Sequence, residues 1–354
     1  MQSPQEYLRG RGAQLNTSNP FLKASYETGD TEGLDEPWEH PAKTQVFMEH
    51  PKNILNPIKS PDVPGDFSLN PYQGCEHGCI YCYARNSHQY AGFSAGLDFE
   101  SKIVVKVNAA QRLEETFRRK NWKPSPIMFS GNTDCYQPLE RKYEITRQCL
   151  EVFDKFSHPV GLITKNSLIE RDIDILQRLA SRGLVHVRLT VTTLNEELRR
   201  NMEPRTASGR KRMETVRRLT EAGIPTGVML GPIIPGLNQH ETPDILQACA
   251  DAGAVNAGYT YIRLNGAVGE IFENWIRKVY PDRAEKVLGQ IKQAHGGQLN
   301  DSRFGTRMKG EGELAEGFSR FFKLLHKKIF ADRSMPAYNL EAFRLPEDGQ
   351  LSLF

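Results

Sequence analysis

The chain has 354 residues, with 46 lysines and arginines against 43 aspartates and glutamates, and 38% of it is hydrophobic. A net charge of +3 sets up no global field that compels a polyanionic partner, so any nucleic-acid surface has to be a local patch. The sequence shows no signal peptide and no long apolar run, which reads as a cytoplasmic protein with no membrane span; its six cysteines then serve as metal ligands, reactive groups or core filler rather than disulfides.

Residues 1–65 are rich in Gly, Pro, Asn and charge, and carry RGRGAQLN at Arg9–Asn16. They read as an extended N-terminal arm, partly disordered or wrapped on the body. Over 66–265 short apolar strands alternate with helical stretches, the rhythm of βαβ units and a parallel sheet. Strands are predicted at Asp66–Leu69, Pro126–Ser130, Val160–Thr164, His186–Val191, Thr226–Leu230 and Gly258–Arg263. Amphipathic helices are predicted over Glu140–Phe156, Ile169–Ser181, Arg210–Ala222 and Pro243–Ala252. Units of this kind make an α/β fold, a partial (β/α)6 barrel of the TIM type. Residues 266–330 read as a C-terminal helical extension, with helices near Arg283–Ala294 and Glu313–Phe330. The second lines up Leu314, Phe318, Phe321, Phe322 and Leu325 on one face to dock on the core. Residues 331–354 show no helical period and read as a flexible tail.

The most specific signal is Cys75, Cys79 and Cys82 in NPYQGCEHGCIYCYARN. A C-x3-C-x2-C triad supplies three thiolate corners of a 4Fe-4S cluster, and the next cysteine is as distant as Cys135. The fourth iron is then open to a ligand that is not a protein side chain. A structural zinc site, with His77 or His88 as fourth ligand, is the competing reading. The triad, with the aromatic Tyr81 before its last cysteine, resembles the radical S-adenosylmethionine (SAM) superfamily. That resemblance implies SAM on the open iron through its amino and carboxylate groups, and an external electron donor. It also implies the partial barrel and reductive cleavage of SAM to methionine and a 5′-deoxyadenosyl radical.

In parallel barrels the chemistry gathers on the loops after the C-terminal strand ends. In the loop Ser130–Pro138 the resemblance makes Asn132, Thr133 and Asp134 candidates for SAM's ammonium; the residues alone also fit a turn and helix cap. The stretch TDCYQPLE resembles the spore photoproduct lyase branch of DNA repair enzymes. In that branch a cysteine near this loop returns a hydrogen atom to the product radical. Cys135 matches it by position, and Tyr83 resembles a tyrosine that helps relay the hydrogen. Cys149 and Cys249 lie on apolar helix faces and read as core thiols. At the end of the third strand, Lys165 is assigned by the resemblance to SAM's carboxylate. Thr190, Thr192 and Thr193 offer hydroxyls to its ribose or carboxylate, with the register left open. Arg205 is a candidate for that carboxylate or for a substrate phosphate. The segment Gly231–Asn238 resembles the superfamily's adenine-binding turn, with Gly236 letting backbone approach the base.

Two features bear on partners. Arg199, Arg200, Arg205, Arg210, Lys211, Arg212, Arg217 and Arg218 crowd one connection against Glu203 and Glu214, which reads either as a DNA-phosphate patch or as a solvated helix face. Gln350–Phe354, QLSLF, resembles the pentapeptide by which bacterial repair proteins dock on the replication sliding clamp; self-docking on the barrel is the other reading. Together these features point to a radical SAM enzyme, lyase-like or transferase-like, acting on nucleic acid in DNA repair or base modification. The competing functions are radical modification of a protein, tRNA or small molecule, and a clamp-associated metal-binding protein without turnover.

Overall fold

The computed structural model describes residue 8 and residues 10–21 and 44–346. Its strands are β1 (Gln45–Glu49), β2 (Leu55–Pro57), β3 (Phe67–Leu69), β4 (Tyr72–Gln73) and β5 (Lys102–Lys106), then β6 (Ile127–Phe129), β7 (Val160–Thr164), β8 (Val185–Thr190), β9 (Thr226–Ile233) and β10 (Asn256–Tyr261). One seven-stranded sheet has the order β10-β9-β8-β7-β6-β3-β2. All neighbours in it pair in parallel except β2, which runs antiparallel to β3 at the edge. Its parallel part is built from the strands predicted in sequence, so the partial barrel follows from the period-two pattern.

Outward side chains such as Phe129, Leu162, Val187, Leu189 and Leu230 are buried under the helices. The inward face is thinner. A methyl group on Gly161 would meet Tyr338 and Met128, one on Gly227 would meet Met335, and one on Gly258 would meet Met229 and, at 3.8 Å, Nη1 of Arg188. These positions therefore line the lumen. Three helices begin on side-chain caps, with Asn166 accepting from Leu168 N, Asn195 from Leu198 N and Ser208 from Lys211 N. The helices Gly209–Glu221 and Thr242–Asp251 end in left-handed turns at Gly223 and Gly253, which deliver the chain into the next strand.

The predicted helix over 140–156 is broken at Glu144 (φ 52°) into Glu140–Tyr143 and Ile145–Phe156. The break follows from the Glu140 carboxylate, which accepts from the amides of Thr146 and Arg147 and so supplants the carbonyls of a continuous helix. Helices Ala109–Phe117, Glu196–Met202 and Ala267–Val279 were not predicted. Helices Pro281–Ala294 and Gly312–Ile329 form as expected.

Part of the N-terminal arm is regular structure wrapped on the body. β1 pairs in parallel with β5, which also holds β4, in a second, three-stranded sheet. The tail reading is corrected as well. Over 331–346 the chain is fastened along the N-terminal end of the barrel. Tyr338 stacks on His186 at 3.8 Å, Asn339 N donates to Gly183 O, and Phe343 joins Phe117, Phe156 and His158. Arg333 adds hydrogen bonds to the carbonyls of Ala250 and Ala254. Aromatic stacking of this kind has no periodic signature in sequence. Gln350–Phe354 lies outside the described residues. No helix among the described residues is long and apolar enough to cross a membrane.

Candidate active site

The loop Gly74–Cys82 leaves the second sheet after β4 and crosses the C-terminal ends of the barrel strands. It is held from three sides. Cys75 N donates to Phe99 O (2.8 Å) and Arg85 Nε donates to Cys79 O (2.9 Å) from below. On another side, Ile80 N donates to Met202 O and Arg205 N donates to His77 O. From the β6 loop, Thr133 Oγ1 and Gln137 Nε2 donate to Gly74 O, and Glu76 N donates to Gln137 Oε1.

All six cysteines are free; Cys75 and Cys82 pack beside Ala84 and Phe99, Cys79 packs in the main core, and among the described residues no three Cys, His, Asp or Glu side chains already stand in the geometry of a single-ion site. Burial pushes the three thiols above their ordinary values, so they would be ionised on binding a cationic metal core rather than beforehand. Three desolvated thiols on one braced loop fit the three cysteine corners of a 4Fe-4S cluster. His77 is not a spare zinc ligand. Its Nδ1 lies 3.3 Å from Asp134 Oδ2 and its Nε2 lies 3.1 Å from Asn166 Nδ2, so both ring nitrogens are engaged.

Asp134 ties the β6 and β7 loops together. It accepts from Tyr136 N, Thr164 Oγ1 (2.7 Å) and Lys165 N (2.9 Å), besides His77. Burial alone would raise its pKa, but His77, Thr164 and the Lys165 amide hold it down at about 2. Its oxygens are thus engaged within the protein, as is the hydroxyl of Thr133. Asn132 is exposed, and its amide N–H is the group tied down, to Asn70.

On the opposite wall the phenol of Tyr81 donates to Glu203 and lies 3.3 Å from Thr192 Oγ1. Glu203 pairs with Arg212 at 2.6 Å, both side chains at 0% exposure. Arg212 also donates to the carbonyls of Thr190 and Ala207. Thr192 donates to Glu203 and to Gly231 O, so its hydroxyl is a brace. Thr193 turns away to Glu241, which settles the open register; the methyl of Thr190 faces the inward side of Gly231. Lys165 sits over the Tyr81 ring, its Nζ 5.7 Å from the centroid, and its charge is felt by Glu203, Cys79 and Cys82. Burial would raise the pKa of Glu203, but Arg212, Lys165, Thr192 and Tyr81 bring it down to about 2. The Glu203–Arg212 pair escaped sequence reasoning, because both residues looked like members of a solvated charged run.

Three predicted positions fall elsewhere. Cys135 is fully buried, its amide bonded to Ser130 Oγ and its carbonyl accepting from Thr146 Oγ1, which draw the residue beneath the loop. Its thiol is packed within the main apolar cluster, which also holds Cys79 and Tyr81. Gly236 (φ 77°) packs on helix Pro281–Ala294, where a methyl group would meet Gln290 at 2.9 Å. The glycine that opens onto the lumen is Gly231, opposite Thr260. Arg205 turns to Glu76 (3.9 Å), on the outer side of the cysteine loop. Tyr83, by contrast, is exposed; its hydroxyl donates to Gly131 O in the β6 loop, and Arg263, just past β10, lies over its ring. It spans the two ends of the open barrel.

The basic connection is largely paired. Arg199 and Arg200 meet Glu196, Lys211 and Arg218 meet Glu170 and Glu214, and Arg212 is wholly buried on Glu203. Much of its charge thus braces helices, while Arg200, Arg210 and Arg217 stay exposed.

An uncharacterized protein of Mycobacterium tuberculosis is 29% identical over 234 residues, 65% of this chain and 69% of that one. The spore photoproduct lyase of Clostridium acetobutylicum is 22% identical over 339 residues, covering 91% and 94%. A solved spore photoproduct lyase with bound S-adenosylmethionine and dinucleoside spore photoproduct shares the fold at TM-score 0.60 and 16% identity, over 82% of this chain and 81% of that one. Residues 69–249 match the family model of the radical SAM superfamily. A cysteine loop braced across the mouth of a six-stranded parallel half-barrel is the site that this match covers, and the chain belongs to the radical SAM superfamily, whose enzymes work with a 4Fe-4S cluster and SAM.

Proposed function

We propose that this radical SAM enzyme acts on nucleic acid, in lyase-like repair or base modification. Cys75, Cys79 and Cys82 would hold the cluster, and Lys165 and Asn132 would meet SAM's carboxylate and ammonium, which Lys165 over the Tyr81 ring and the exposure of Asn132 support. When bound, cluster and SAM supply a 5′-deoxyadenosyl radical, given an electron from an external donor. The protein's own residues do the positioning. Asp134 fixes the Lys165 backbone and His77, while Glu203 and Arg212 fix Tyr81 and Thr192, so the walls of the mouth are set before any ligand arrives.

The observation that carries the nucleic-acid reading is the similarity to a spore photoproduct lyase along 91% of the chain. A cation at the mouth supports it, with Arg263 beside Tyr83. In this reading Tyr83, exposed beside Arg263, meets the substrate, and it is preferred to Cys135 as the partner in hydrogen transfer because the Cys135 thiol is buried. The test is anaerobic reconstitution with dithionite, SAM and deuterated DNA, irradiated or plain. Deuterium is expected in 5′-deoxyadenosine. Turnover of SAM with no label from either DNA would overturn the reading in favour of another substrate.

Six unpaired thiols suit the reducing cytoplasm, where we place the enzyme. We also propose that Gln350–Phe354 docks on the sliding clamp, which the anchoring of 331–346 at the barrel end away from the mouth supports. Removing those five residues should abolish binding to purified clamp and spare SAM cleavage; unchanged binding would refute docking.

A further inference from the structure

We propose that the N-terminal segment Arg11–Ala13 is a positioning clasp for the cluster loop, acting through Glu100 and Arg85. The inference goes beyond the substrate reading and does not depend on it. The segment is buried, unlike an ordinary chain end. Gly12 lies so close to the loop that a methyl group on it would stand 1.6 Å from Gly78 O and 2.7 Å from Ile80 Cγ2. Gly78 is the residue just before Cys79, and a methyl group on it would in turn meet Glu100 at 2.8 Å. Only bare backbone fits at this junction.

The polar groups close the same contact. Glu100 accepts from Gly12 N (3.1 Å) and Ala13 N (2.7 Å), and its carbonyl accepts from Arg11 Nη1. It also pairs with Arg85 at 2.5 Å, with the two side chains 0% and 1% exposed. Arg85 donates onward to the carbonyls of Cys79, Ala95 and Gly96. A charge pair this dry is stable only when its remaining hydrogen-bonding capacity is filled, and the segment's amides fill it. Cluster loop, Arg85, Glu100 and the segment thus form one connected unit, with the segment excluding water from the side of the loop opposite the mouth.

The test uses the full chain carrying Gly12→Ala, with Glu100→Gln as a second variant and Asn16→Ala as a control. Asn16, exposed and just past the segment, bonds to half-buried Asp98 rather than to Glu100. After reconstitution without oxygen, iron release to a chelator and the cluster's midpoint potential are measured beside the thermal unfolding of the apo chain. Loss of the hydrogen bonds to Glu100 should raise local opening, and so iron release, about tenfold in both variants. Water reaching the cluster favours its more charged, reduced form, so the potential should rise. Asn16→Ala should match wild type. Wild-type release and potential in Gly12→Ala would overturn the clasp. So would faster release shared by Asn16→Ala with an unmoved potential, which would mark the segment as a general stabiliser.

Discussion

Replacing Glu203 by Gln removes one charge from a fully buried pair while keeping the side chain's shape. The pKa of Glu203 falls from 4.5 to about 2 in the folded chain, and at 1.36 kcal/mol per pKa unit the carboxylate contributes about 3 kcal/mol near neutral pH. Removing one partner of a buried ion pair costs about 3–5 kcal/mol, because the survivor is left uncompensated, so both routes agree. Anaerobic urea unfolding of apo wild type and variant at pH 7 should show a loss of about 3 kcal/mol. The sign with pH is fixed. The folded pKa is depressed, so the stability is fully present above the unfolded value of 4.5 and is lost as pH falls toward about 2. The gap between wild type and variant should hold steady from pH 7 to about 5 and narrow at lower pH. A loss under about 0.5 kcal/mol, or parallel pH profiles, would refute the view that the pair holds this wall.

Other outcomes follow from the site. Cys79→Ala should abolish both iron–sulfur absorbance and 5′-deoxyadenosine formation, and retained cleavage would remove Cys79 from the ligand set. Lys165→Ala should weaken SAM binding about tenfold or more in equilibrium dialysis while leaving iron content unchanged, since a charged hydrogen bond contributes about 1.5–3 kcal/mol. Cys135→Ser should leave the product distribution as in wild type, because the thiol is buried; a new by-product would show that it reaches the radical.

The barrel was legible because each parallel strand carries an apolar outer face and each cap or left-handed glycine lies next to its helix. The cysteine triad was legible because spacing alone specifies it. What sequence missed came from contacts far apart along the chain. Glu100 and Gly12 meet across 88 positions, and Tyr338 finds His186 only after the barrel has closed. The fifth strand, expected to end at Leu230, runs on to Ile233 and carries Gly231 onto the lumen. Cys135 looked accessible from its place in a loop, and only the hydrogen bonds of Ser130 and Thr146 reveal that the turn folds inward.

Met335 and Tyr338 stopper the far end of the lumen against Gly227 and Gly161. Both side chains come from the stretch after the last long helix, so the floor of the lumen is supplied by chain outside the βα units, and loosening that stretch would open the lumen from below.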